Sequence, residues 1–226
     1  MAMQLDSVVP FGRSFDEYVH MFSLTESDLN KSILSVADGP ASFNAEGTER
    51  GCHIRSLDPL YDFSAQAIKS RFYTVRDDVI EQIQDSPEDW VWRYHASVDE
   101  LRQRRSQVIE RFAADYEKGK QQGRYTTGAL PDLPYADDAY DLGLCSHFLF
   151  LYSDRLETHF HISAIAELLR VCQEVRIFPL LTLMRSQSPH LNPVIEHFTN
   201  QGVTTQIVPV AYELQKGGDK MLRLVR

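Results

Sequence analysis

The feature that most constrains this chain is the alternation of short apolar runs with longer segments of helical period. Ile33-Leu34-Ser35-Val36, His53 to Leu57, Tyr140 to Cys145 and Val175 to Leu183 read as strands, with Arg124 to Thr127 a weaker candidate. Between them, apolar residues recur every three or four positions. Phe15, Tyr18, Val19 and Phe22 form one such face. Others are the series from Ala65 through Ile68, Phe72 and Val79 to Ile83, then Val98 to Tyr116, then Ile162 to Cys172. Strands alternating with helices predict an α/β fold with a mostly parallel sheet.

Start and stop signals refine the order. Thr25-Glu26-Ser27-Asp28 predicts a capping box opening a second short helix, and a third helix follows from about Ser42. Ser86-Pro87-Glu88-Asp89 predicts a cap with proline at the first helical position. Ser188-Pro189 opens a last helix that Gly202 stops, and the chain closes on strands Thr205 to Tyr212 and Met221 to Val225. The intervening Lys216-Gly217-Gly218-Asp219 reads as a hairpin turn. One domain over 1–226 is expected, with 1–32 as an N-terminal helical lid and 84–122 as a helical insertion, since that stretch holds more helix than one crossover needs. For Arg13, Tyr18 and Phe22 the alternative is that these helices simply cover a sheet face. For Trp90, Trp92 and Tyr94 it is either an acceptor site or packing of the insertion.

Composition excludes several classes. A net charge of −9 disfavours a nucleic-acid surface, which needs clustered Lys and Arg; Arg102, Arg104 and Arg105 read as a solvated helix face. Three scattered cysteines make neither a disulfide framework nor a zinc site. The start Met-Ala-Met-Gln has no basic region followed by an apolar run, and no apolar stretch is long enough to cross a bilayer, so a cytoplasmic protein is expected. His159-Phe160-His161 invites a metal reading, but i and i+2 diverge on a helix, so no metal site is expected.

In an open α/β sheet, ligands bind at the carboxyl ends of the strands. Asp38-Gly39-Pro40-Ala41 leaves the first strand, where a glycine turn lets a ligand approach the backbone. Asp58-Pro59 ends the second, 19 residues after Gly39 (58 − 39), placed to accept hydrogen bonds from ribose hydroxyls. Cys145-Ser146-His147 leaves the fourth; Cys145 reads as a buried strand residue.

The succession Ile33-Leu34-Ser35-Val36-Ala37-Asp38-Gly39-Pro40-Ala41, the acid at Asp58 and the segment from Leu130-Pro131-Asp132-Leu133-Pro134-Tyr135 to Tyr140-Asp141-Leu142 resemble class I S-adenosylmethionine-dependent methyltransferases. The closing hairpin fits, because that fold inserts an antiparallel seventh strand between strands five and six. The resemblance implies a Rossmann-like seven-stranded sheet, mostly parallel with the last strand antiparallel, helices on both faces and a helical insertion. It implies S-adenosylmethionine as cofactor, with Asp38, Gly39 and Pro40 around its methionine part and Asp58 and Pro59 at the ribose. Ala129 and Leu130 would flank adenine, and Ser146 and His147 would lie beside the reactive methyl group. His147 is the candidate general base, since imidazole titrates near neutral pH. A small-molecule acceptor is favoured over nucleic acid.

The first motif departs from the family pattern. Ser35 stands at the acid position, and the glycine positions read Ala37, Gly39 and Ala41. Alanine there demands ordinary φ/ψ. The alternative is therefore a methyltransferase fold that binds cofactor or a protein partner without catalysis.

Overall fold

The computed structural model describes residues 10–226; the first nine residues of the expected lid lie outside them. Two short helices come first, α1 (Phe15–Met21) and α2 (Glu26–Leu29). Each opens on a capping box: Ser14 with Glu17, and Thr25 with Asp28. Then β1 (Ser32–Val36), α3 (Phe43–Glu49) and β2 (His53–Leu57) lead to the long α4 (Ala65–Gln84) and α5 (Val98–Gln121). The remainder is β3 (Tyr125–Thr126), β4 (Tyr140–Ser146), α6 (Thr158–Val171), β5 (Cys172–Phe178), α7 (Leu191–Asn200), β6 (Thr204–Pro209) and β7 (Lys220–Val225).

The seven strands form one sheet in the order β3-β2-β1-β4-β5-β7-β6. β1 to β5 pair in parallel, and β7 runs antiparallel to both neighbours. The strand order reverses between β1 and β4, which opens a crevice at their carboxyl ends. Alternate residues of the central strands feed two apolar layers, as the pleat requires. Ile33, Leu142 and Leu144 face Phe15, Tyr18, Phe22 and Phe43 of the α1/α3 layer. Leu34, Val36 and Cys145 face Ile165, Leu168 and Val194 of the α6/α7 layer. Asp141 ties the two halves of the sheet at their amino ends, its Oδ2 accepting from Ser32 N at 2.8 Å and Ser32 Oγ at 2.7 Å.

Several expected boundaries move. The Ser86-Pro87 signal opens only a short 3-10 turn, Pro87–Asp89, and Ser86 donates its hydroxyl back to Gln82 O instead of capping. The cap of α5 is Ser97, which accepts from Glu100 N. Cys172 is the first residue of β5, not the end of α6, and β5 stops at Phe178 because Pro179 has no N–H for the ladder. The last helix starts at Leu191 after His190, two residues later than Ser188-Pro189 implied. β6 ends at Pro209, so the link to β7 is a long loop, not a four-residue turn; within it Val210 N reaches Asp219 O at 2.8 Å.

Among the described residues no helix is long and apolar enough to cross a membrane. His161 is buried while His159 is exposed, so the two do not share a face.

Candidate functional site

A cavity of about 440 Å³ opens where β1, β2 and β4 end. Ala41 and Cys145 are buried in the core, while its wall includes Asp38, Gly39, Pro40, Asp58, Pro59, Ala129, Leu130, Ser146 and His147. They come from four separate chain segments, brought together because parallel strands all end on one side of the sheet.

The loop after β1 is held by carboxylates. Asp58 Oδ2 accepts from Gly39 N at 2.9 Å, and Oδ1 accepts from Leu60 N at 2.8 Å, capping the 3-10 turn Pro59–Asp62. Burial raises the Asp58 carboxyl above its ordinary value, and these two backbone donors offset only part of that rise. Asp38 is buried one step deeper. Its Oδ1 accepts from Tyr61 Oη at 2.8 Å and its Oδ2 from Ser56 Oγ at 2.7 Å. Burial, with the neighbouring Asp58 charge, pushes Asp38 up to about 8. At neutral pH this carboxyl therefore carries its proton.

Gly39 has φ +53 and open space where a side chain would stand, as expected of a ligand-facing turn. Ala37 corrects the expectation of ordinary geometry: it sits at φ 55, in the left-handed region, its N–H bonded to Leu57 O at 2.9 Å. The loop keeps the shape of the glycine motif, and alanine bears the strain, about 1–2 kcal/mol.

Ser146 and His147 leave β4 as one unit. Ser146 Oγ lies 2.9 Å from His147 Nδ1, and His147, at φ 53, donates its N–H to Phe178 O at 2.6 Å. Burial, then the charges of Arg13 and Arg105, push the imidazole well below its ordinary value. The ring is neutral at pH 7, but it is a weaker base than a free histidine. Cys145 behind it is fully buried, its thiol pushed up to about 12.

One wall comes from the segment before α1: Arg13, which the sequence offered as part of a lid, lines the cavity, and so does Phe11, which it did not single out. The segment Pro10–Ser14 lies against the β1 loop, where Ser42 N donates to Arg13 O at 3.1 Å. A Cβ on Gly12 would stand 2.1 Å from Pro40 O, so only glycine permits this approach. Phe11 and Arg13 thereby reach the cavity, while Tyr18 and Phe22 are core residues, Tyr18 stacking on Phe43 at 4.2 Å. Arg105 is a second correction. It is not on a solvated face but 1 % exposed, gripping Glu17 through both guanidinium nitrogens at 2.8 and 2.7 Å. The signal was present, because Arg105 lies four residues from both Leu101 and Ile109 on the inward stripe of α5. Arg102 and Arg104 stay outside, facing Asp77 and Glu100. Trp90 lines the cavity, whereas Trp92 and Tyr94 pack against the core.

No family model matches the chain. The chain is 34% identical over 225 residues to uncharacterized protein MJ0045 of Methanocaldococcus jannaschii, covering 99% of each. Among solved structures it is similar to magnesium protoporphyrin IX methyltransferase (ChlM) from Synechocystis PCC 6803 with bound SAM. That likeness has 11% identity and a TM-score of 0.49, over 94% of this chain and 77% of that one. It is also similar to a SAM dependent methyltransferase from Aquifex aeolicus, with 13% identity and a TM-score of 0.42 over 92% and 90%. The fold assignment rests on the strand order rather than on these distant likenesses. The chain belongs to the family of the Methanocaldococcus jannaschii protein, and its sheet is the Rossmann-like seven-stranded sheet of class I methyltransferases.

Proposed function

We propose that this protein binds S-adenosylmethionine in the cavity at the ends of β1, β2 and β4 and transfers its methyl group to a small acceptor. One observation carries the reading: within this sheet order, Asp38-Gly39, Asp58, Ala129-Leu130 and Ser146-His147 line one cavity. The residues fit the group. Asp38 and Asp58 offer carboxyl groups to a cationic ligand and its ribose, the open side of Gly39 admits close approach, and Leu57, Leu60 and Leu130 offer apolar flanks to a flat base.

The bound sulfonium would supply an already electrophilic methyl group. What remains for the chain is to align an acceptor and exclude water, and positioning of that kind is worth up to about 7–11 kcal/mol. Ser146 holds the His147 ring, which faces the cavity as a neutral hydrogen-bonding group. A second reading is a fold that binds without catalysis. It is favoured by Asp58, whose two oxygens already serve Gly39 and Leu60.

Calorimetric titration with S-adenosylmethionine, S-adenosylhomocysteine and NAD tests the proposal. Micromolar binding of the first two with no response to NAD is the expected result. No binding of either sulfur compound removes the methyltransferase reading. His147→Ala should leave cofactor affinity intact while slowing turnover; unchanged turnover with the true acceptor would take His147 out of the reaction.

A further inference from the structure

The cavity is electrically asymmetric. Its β1/β2 end carries the Asp58 carboxylate beside the protonated Asp38. Beyond His147 the wall is largely apolar, formed by Trp90, Phe178, Leu183 and Leu214, and interrupted by Arg13, Tyr212 and the Asp89–Arg185 ion pair. Behind it lies Glu17, fully buried, a carboxylate within reach of both Arg13 and Arg105. Arg105 takes both of its oxygens, and Tyr212 donates its hydroxyl to Oε1 at 3.0 Å. Arg13 is left at the margin, its Nε 4.0 Å from Glu17 Oε1 and without a hydrogen-bond partner, its Nη1 turned to the carbonyls of Phe11 and Gly12.

The neighbours do not supply the missing charge. Asp89, the other carboxylate on this part of the wall, is paired with Arg185. His95 and His147, both held below the ordinary imidazole value, add no charge at neutral pH. The local balance is one carboxylate against two guanidinium groups, a net charge of +1, on a side chain only 13% exposed. A cation so placed is costly unless an anion meets it, and the space it faces is the cavity.

We propose that the far end of the cavity is a site for a small organic acid, its carboxylate paired with Arg13 and its apolar or aromatic body held among Trp90, Phe178, Leu183 and Leu214. As a description of the methyl acceptor this rests on the function proposed above; as an anion site it stands on the geometry alone. A planar guanidinium that lines the cavity, its buried Nε without a hydrogen-bond partner, suits a carboxylate, which accepts parallel N–H donors. The two ends of the cavity then complement a cationic cofactor and an anionic acceptor.

The test is calorimetric titration of the whole protein, with and without saturating S-adenosylhomocysteine, using benzoate, phenylacetate and octanoate, each beside its neutral amide. At least one acid should bind tenfold or more tighter than its amide. Arg13→Gln should abolish that preference and Arg13→Lys retain part of it, with S-adenosylhomocysteine affinity unchanged in both. No preference in any of the three pairs, or a preference that survives Arg13→Gln, overturns the proposal. Should Arg13→Gln fail to fold, Arg13→Lys decides: a preference undiminished in that variant overturns the proposal. Acid preference without S-adenosylhomocysteine binding would leave the anion site and remove the methyltransferase reading. The reverse pattern would do the opposite.

Discussion

Asp58 Oδ2 accepts the backbone N–H of Gly39 at 2.9 Å, so the carboxylate that ends β2 also closes the loop that leaves β1. Its other oxygen caps the following turn through Leu60 N. A single side chain thus holds both strand ends in the shape that faces the cavity. Asp58→Ala should therefore cost about 1–3 kcal/mol of stability by stranding two buried amides. It should also weaken S-adenosylhomocysteine binding at least tenfold. Denaturant unfolding and calorimetry measure the two effects, and full affinity in a destabilised variant would mean that the loop forms without this link.

Asp38 makes stability depend on pH. Its folded value, about 8, lies above the unfolded carboxyl value, so the native state retains a proton that the unfolded chain has released. Stability from this group should fall as pH rises from about 4 to about 8 and then level off. Asp38→Asn should flatten that descent, as measured by urea unfolding across the range. A cationic ligand beside Asp38 favours its ionised form. Binding of S-adenosylmethionine at pH 7 should then release protons, visible as a binding enthalpy that varies with the ionisation heat of the buffer.

Ala37 stores strain at φ 55. Ala37→Gly should relieve it and raise stability by up to about 1 kcal/mol, partly offset by the greater freedom of glycine in the unfolded chain. A shift of the denaturation midpoint to lower denaturant would show that alanine is instead held by contacts worth more than the strain.

Glu17 is held ionised inside the protein. Burial alone would raise its carboxyl, but Arg105 and the hydrogen bond from His95 hold it well below the ordinary range. Arg105→Met would leave that charge without its main partner and should cost about 3–5 kcal/mol. Adding Glu17→Leu should recover part of the loss, so the double variant costs less than the sum of the single ones. Strict additivity in that cycle would mean that the pair is not coupled.

Much of this protein was determined by sequence alone. Short apolar runs placed β1, β2 and β4, residues of period 3.6 placed most helices, and Thr25 with Asp28 marked a helix start, because these signals depend only on neighbours along the chain. The strand ends were legible for the same reason, so Asp38, Asp58 and His147 could be picked out as a set. Boundaries such as the end of β6 at Pro209 were not, since the hydrogen-bonding partner of a strand, not its own composition, decides where pairing stops. Tertiary structure also decided what the strand-end residues do. The Asp38 proton depends on burial and the Asp58 charge, working against hydrogen bonds from Ser56 and Tyr61, and the weak His147 base on burial, then on Arg13 and Arg105, each brought in from distant segments. The sharing of Glu17 between Arg105 and Arg13 spans α1, α5 and the segment before them. Desolvation and Coulomb interaction act through space, and no pattern along the chain records which charges the fold will bury side by side.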